Sequence, residues 1–159
     1  MNREHERWMA SALEEAQGAL AGGEVPVGAV AVRAGEIVGR GHNRTVELQD
    51  PTAHAEMFAL REAAAALGSW RLIGVTLYAT LEPCAMCSGA CVLARIDRLV
   101  YGVEDPKAGM SGSLASIPSD PRLNHRVDIV RGVLADDCGA LLKTFFRARR
   151  RSPEPPSSG

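Results

Sequence analysis

Polar and apolar positions along this chain repeat with two periods, and the switches between them mark the elements. Trp8, Met9, Ala12, Leu13, Ala16 and Leu20 recur at i, i+3, i+4, i+7 spacing with His5 on the same face, and Gly22-Gly23 closes the run. That pattern predicts an amphipathic helix over 4–21 with Trp8 in the core. Val25 to Val32 and Ile37 to Gly39 are β-branched and apolar around Arg33-Ala34-Gly35-Glu36, which predicts a hairpin. Asp50-Pro51-Thr52 supplies helix-start chemistry for an alanine-rich run from Ala53 to Leu67 that Gly68 ends. Leu77 to Thr80 reads as a strand, and Pro83 is suited to open a third helix reaching Ala94. Leu99–Tyr101 and Val127–Val130 read as further strands. Cys138, Leu141, Leu142, Phe145 and Phe146 form the buried stripe of a last helix whose start carries Asp136 and Asp137.

Strands that alternate with helices in this order imply one sheet covered on both faces, a three-layer α/β sandwich. The chain of 159 residues, 46% apolar and 23% charged, suits one globular domain rather than a disordered or fibrous chain. A folded unit over 1–151 would leave Ser152–Gly159, rich in proline and serine, as a disordered tail. No uncharged stretch approaches the roughly 20 apolar residues of a membrane span. The charged start Met1-Asn2-Arg3-Glu4-His5-Glu6-Arg7 lacks the form of an export signal, so a cytoplasmic location is expected. The formal charge of −1 conceals an asymmetry: Arg147, Arg149, Arg150 and Arg151 crowd one end, opposed beyond them by Glu154 alone. A basic end on an acidic body suits a phosphate-bearing partner, and it equally suits arginines that complement a helix dipole.

Chemistry concentrates in two short stretches, His54-Ala55-Glu56 and Pro83-Cys84-Ala85-Met86-Cys87. Cysteines three apart on a helix share a face, and a helix N-terminus favours the thiolates that a metal requires. With one imidazole they make three ligands, the number that leaves a zinc ion an open position for water. A closed site with Cys91 as fourth ligand is disfavoured: seven residues of helix separate Cys84 from Cys91 by roughly 10 Å. Two sulfurs on one zinc lie only about 3.8 Å apart. Cys91 and Cys138 are then core thiols. A redox Cys-x-x-Cys remains the other reading, and it gives His54 and Glu56 no task. Beside a zinc ligand, Glu56 is placed to move protons.

These residues resemble the His-x-Glu and Pro-Cys-x-x-Cys signature of the zinc nucleobase and nucleoside deaminases of the cytidine/deoxycytidylate superfamily. The closer resemblance is to the bacterial tRNA-specific adenosine deaminases, which turn the wobble adenosine of an anticodon loop into inosine. It runs from about Trp8 to Arg150. It rests on Glu24-Val25-Pro26-Val27-Gly28-Ala29-Val30, His42-Asn43-Arg44, Asp50 to Glu56, Thr80 to Cys87, Gly112-Ser113-Leu114, Asn124-His125-Arg126-Val127 and Phe145 to Arg150. The resemblance implies a sandwich of the cytidine deaminase type with a central mixed sheet. It also implies one Zn²⁺ per chain on His54, Cys84 and Cys87, Glu56 as proton shuttle, and a homodimer. Asn43 would bond the flipped base beside Ala55, with Val25 and Pro26 against its face. Asp105, Lys107, Ser111, Asn124 and Phe146 would line the path of the flanking nucleotides, and Arg149 and Arg150 would meet phosphates. Lys107-Ala108-Gly109-Met110-Ser111 departs from the usual Lys-Thr-Gly-Ala-Ala form. Two alternatives stay open: a deaminase of free guanine or cytosine, and a non-catalytic RNA-binding protein with a structural zinc.

Overall fold

Alternation along the strands becomes the layering of the fold. The computed structural model describes residues 3–151, so the expected tail at 152–159 lies outside the described residues. Strand β1 (Gly28–Arg33) sends Ala29 and Ala31 into one hydrophobic cluster and Val30 and Val32 into another, as a strand buried on both faces must. Leu77 and Tyr78 of β3 (Thr76–Leu81) divide in the same way, as do Leu99 and Val100 of β4 (Arg98–Val103). Helices α3 (Ala55–Leu67) and α4 (Ala85–Leu93) cover the first face through Ala59, Leu60, Cys91 and Val92. On the second face α1 (Arg3–Ala21) brings Trp8, Met9 and Ala12, and α5 (Ala135–Arg151) brings Cys138. With β2 (Glu36–His42) and β5 (Asp128–Val130) the sheet runs β2-β1-β3-β4-β5. β1 is antiparallel to β2 and β3, while β3, β4 and β5 are mutually parallel neighbours. This is the mixed sheet and three-layer sandwich expected.

The seat of α3 explains its alanines. A Cβ added at Gly39 would lie 2.1 Å from the Ala59 carbonyl oxygen, and one at Gly41 would lie 2.3 Å from that of Ala55. Helix and strand therefore touch backbone to backbone, which small residues alone permit. The contact fixes the first turn of α3, and with it His54 and Glu56, against the sheet.

Several boundaries differ from the expectation. The first strand begins at Gly28 rather than Val25, because the chain turns sharply at Pro26, with the Val27 N–H donating to the Val25 carbonyl at 2.8 Å. Pro83 stands outside α4, and Cys84 is the N-cap in extended conformation. A helix α2 (Thr45–Leu48) was not anticipated, since four residues are too few for periodicity. The buried Glu24 carboxylate holds it, accepting from the N–H groups of Val46 (3.1 Å) and Glu47 (2.8 Å). In α5, Cys138 and Phe145 are buried and Leu141 and Leu142 half-buried, but Phe146 is 48% exposed. Adjacent helical positions point about 100° apart, so one of the two phenylalanines had to leave the core.

Candidate active site

Two helix N-termini meet beyond the end of β3. His54 is the N-cap of α3 and Cys84 that of α4, and neither side chain caps its own helix. Both turn toward each other instead: His54 Nδ1 lies 3.5 Å from Cys84 Sγ and 3.6 Å from Cys87 Sγ. The three ligand atoms lie within 4.8 Å of one another. A nitrogen and a sulfur held by one tetrahedral zinc are about 3.6 Å apart, so the trio already has the spacing the ion requires. Cys91 is buried outside this group, and burial pushes its thiol well above the usual range.

The electrostatics suit a cation. Cys84 is held down to about 3, first by its hydrogen bond with Cys87 and then by that with His54. The bond to Cys84 raises His54 in turn, and Cys87 is raised because it keeps its proton beside the Cys84 thiolate and is buried. Glu56, one residue into α3 beyond Ala55, is 4% exposed. Burial raises its carboxyl above the usual range, and the His54 charge and a hydrogen bond with Cys87 oppose that only in part. It is a carboxylate at the metal site with reason to hold a proton.

Around this centre the expected contact residues separate into groups. Asn43 is half-buried and its Oδ1 accepts the N–H of Ala55 at 3.0 Å, which leaves its amide NH₂ as a donor. The backbone of Ala55 is therefore engaged by Asn43. Val25, Asp105, Lys107 and Phe146 line one cavity of about 460 Å³, together with Leu81 and Leu142. Pro26 is wholly buried and does not line that cavity. Asn124 and Arg150 are exposed and lie outside that lining, and Arg149 is half-buried with its guanidinium 5.0 Å over the Phe145 ring. Ser111 is fully buried, its hydroxyl 2.8 Å from that of Ser88, so its side chain supports the loop rather than facing a nucleotide. Sequence reasoning missed Glu82 and Ser88, which fasten that loop, and Leu81 and Leu142, which line the cavity. A charged residue closing an apolar strand was the available signal for Glu82.

The comparisons with known proteins agree with this geometry. Residues 2–103 match the cytidine and deoxycytidylate deaminase zinc-binding region. The chain is 50% identical over 146 residues to a tRNA-specific adenosine deaminase of Bacillus subtilis, covering 92% of this chain and 91% of the relative. A protein of the same name from Haemophilus influenzae is 49% identical, covering 91% of this chain and 84% of the relative. Among solved structures, one from work on A-to-I editing by tRNA:A34 deaminases superposes with a TM-score of 0.82 at 46% identity. It covers 86% of this chain and 99% of the other. A guanine deaminase from Nitrosomonas europaea shares the fold, with a TM-score of 0.76 at 24% identity over 88% of this chain and 83% of the other.

Proposed function

The chain belongs to the cytidine and deoxycytidylate deaminase family and, within it, to the tRNA-specific adenosine deaminases; from that premise we infer that it hydrolyses the wobble adenosine of a tRNA anticodon loop to inosine and ammonia. The observation that carries the reading is the trio of His54 Nδ1 and the Cys84 and Cys87 sulfurs at 3.5 and 3.6 Å, with the buried Glu56 carboxyl beside it.

His54, Cys84 and Cys87 would hold the one Zn²⁺ per chain. When bound, the ion leaves one position to water and lowers that water's pKa toward 7. Glu56 would take a proton from the attacking water, whose oxygen adds to C6 of the purine, and pass that proton to the ring nitrogen N1. C6 becomes tetrahedral. Glu56 then moves the proton of the new C6 hydroxyl to the exocyclic amine, and the C6–N6 bond breaks as the C6 carbonyl forms, releasing ammonia. Burial serves this cycle, because it raises the Glu56 carboxyl above the usual carboxylate range and so lets it hold a transferred proton more readily than an exposed carboxylate would. We assign Asn43 to the flipped base through its amide NH₂, with Val25 against the ring. Asp105, Lys107 and Phe146 are assigned to the flanking nucleotides in the adjoining cavity. An anticodon loop can extrude its base more cheaply than a duplex, which fits a recessed centre.

Three finer points complete the reading. A homodimer is proposed, and an apolar concavity between α3 and α4 supports it: Met57, Leu60, Trp70 and Leu93 line it, with Trp70 62% and Leu93 71% exposed. The enzyme is placed in the cytoplasm with its tRNA. Among the described residues no helix is long and apolar enough to cross a membrane. The deaminase unit is proposed to span 1–151.

Inosine formation on an anticodon stem-loop carrying a wobble adenosine, with free adenine, guanine and cytosine in parallel, tests the reading. Turnover of the stem-loop alone is expected. Ammonia release from a free base without inosine in the RNA would move the assignment to the free-nucleobase deaminases.

A further inference from the structure

Glu82 follows the last residue of β3 and stands two positions before Cys84, and it is only 2% exposed. A carboxylate in such a place is costly unless its lone pairs are satisfied. Its oxygens accept the N–H groups of Asp105 at 3.1 Å, Ser111 at 3.0 Å and Ser113 at 3.0 Å, and the hydroxyl of Ser113. All these donors belong to one segment, 105–113, which follows β4. Gly109 crosses directly over the carboxylate, since a Cβ there would lie 2.3 Å from Glu82 Cδ. Two further bonds fasten the segment to the turn and helix that carry Cys84 and Cys87. The Met110 N–H donates to the Pro83 carbonyl at 3.0 Å, and the Ser111 hydroxyl pairs with that of Ser88 in α4 at 2.8 Å. Near its start the same segment carries Asp105 and Lys107 into the cavity shared with Val25 and Phe146.

Resting on the reading of that cavity as the seat of the flanking nucleotides, we propose that Glu82 is a positioning residue for RNA binding. Its carboxylate gathers segment 105–113 into the nucleotide-binding wall and locks the wall to the Cys84 turn. The flanking nucleotides and the reacting base are thereby held in one frame. Hydrogen bonds from backbone N–H groups to a charged acceptor are the stronger kind and fix geometry as well as energy. They do here what outer hydrogen bonds do for a metal ligand, and misplacement of such a support is expected to appear in binding.

The test compares the zinc-loaded parent with Glu82→Gln, in which one acceptor oxygen becomes an NH₂ facing the same donors. Hydrogen exchange at Asp105, Ser111 and Ser113 should quicken by about tenfold or more, while amides of β1, β3 and α3 hold and one zinc per chain is retained. KM for the anticodon stem-loop should rise by about tenfold, more than kcat falls. Ser113→Ala, on an exposed residue that removes only the hydroxyl bond, should show a smaller change of the same kind. Gly109→Ala places a methyl against the same carboxylate, so its effect combined with Glu82→Gln should fall short of the sum. Unchanged exchange in 105–113, or exchange quickened evenly throughout the chain with KM unmoved, would overturn the proposal. Should the parent make no inosine, the functional reading fails by itself. The exchange comparison would still decide whether Glu82 organises the segment.

Discussion

Asn43 Oδ1 accepts the backbone N–H of Ala55 at 3.0 Å, and so caps from a neighbouring segment a helix whose own N-cap residue, His54, makes no side-chain cap bond. The imidazole is thereby left to face the sulfurs, and the oxygen that replaces it belongs to the residue assigned to the base. One asparagine thus serves the helix with its carbonyl and the substrate with its NH₂.

Those two tasks can be separated. Asn43→Ala should lose the cap and about 1 kcal/mol of stability, whereas Asn43→Asp keeps an acceptor oxygen at a helix N-terminus, where an anion is favoured. Both variants lack the NH₂, and both should lose at least about tenfold in kcat/KM on the stem-loop. Thermal melting alongside inosine assays reads the two effects. An aspartate variant with full activity would remove Asn43 from base recognition.

Metal uptake should depend on pH with a change of slope. In the metal-free chain Cys84 is already a thiolate, with its pKa held down to about 3, while Cys87 keeps its proton and His54 is raised above its ordinary 6.5 by the bond to Cys84. Zinc must therefore displace a proton from Cys87 throughout the neutral range, and a second from His54 below the raised His54 pKa. Log affinity should climb by about one per pH unit above that point and about two below it. Competition against a chelator between roughly pH 6 and 8 measures this. An affinity flat across the range would mean that the trio is not the metal site.

Cys91→Ala provides the contrast. Its sulfur is buried and outside the ligand group, so the variant should bind one zinc and lose about 1–2 kcal/mol from the small cavity it leaves. His54→Ala should lose the zinc. Metal analysis giving the reverse pair of results would exchange the ligand assignments.

Glu56→Ala should keep zinc and stem-loop affinity but lose 10²–10⁴ in kcat, the usual worth of general acid–base catalysis. The carboxyl holds no metal in the assignment, so binding and chemistry come apart. A variant within about tenfold of the parent would take the proton-shuttle role from Glu56.

Local pattern and short spacing made the metal site legible: His54, Glu56, Cys84 and Cys87 lie within two helix starts, and helical geometry alone set Cys91 aside. The layers were legible for the same reason, since the alternation in β1 and the stripe in α1 are properties of near neighbours. Glu82, Ser88 and Glu24 were not, because the partners that tie each of them to another segment lie 21 to 31 positions away; a charged residue closing an apolar strand marks Glu82 as unusual but does not say which backbone N–H groups satisfy it. Ser111 shows the same limit from the other side. Its place in a motif pointed to substrate, whereas its full burial against Ser88 is a property of the assembled loop.

The arginine end divides in the structure as it could not in the sequence. Arg149 is half-buried over the Phe145 ring at 5.0 Å, whereas Arg147 and Arg150 are exposed on α5, three residues apart and so on one side of the helix. Each arginine that neutralises a phosphate of a single strand releases counterions and adds roughly 0.7 to the slope of log K against log salt. Arg147→Ala with Arg150→Ala should therefore flatten the slope for stem-loop binding by about 1.4 if both touch phosphate, with the melting temperature and turnover at saturating RNA little changed. Arg149→Ala should lower the melting temperature instead, because it removes a stem and a cation packed on an aromatic face. A salt slope left intact by the double variant would confine these arginines to the helix, and the grip on RNA would have to come from the loop that Glu82 holds.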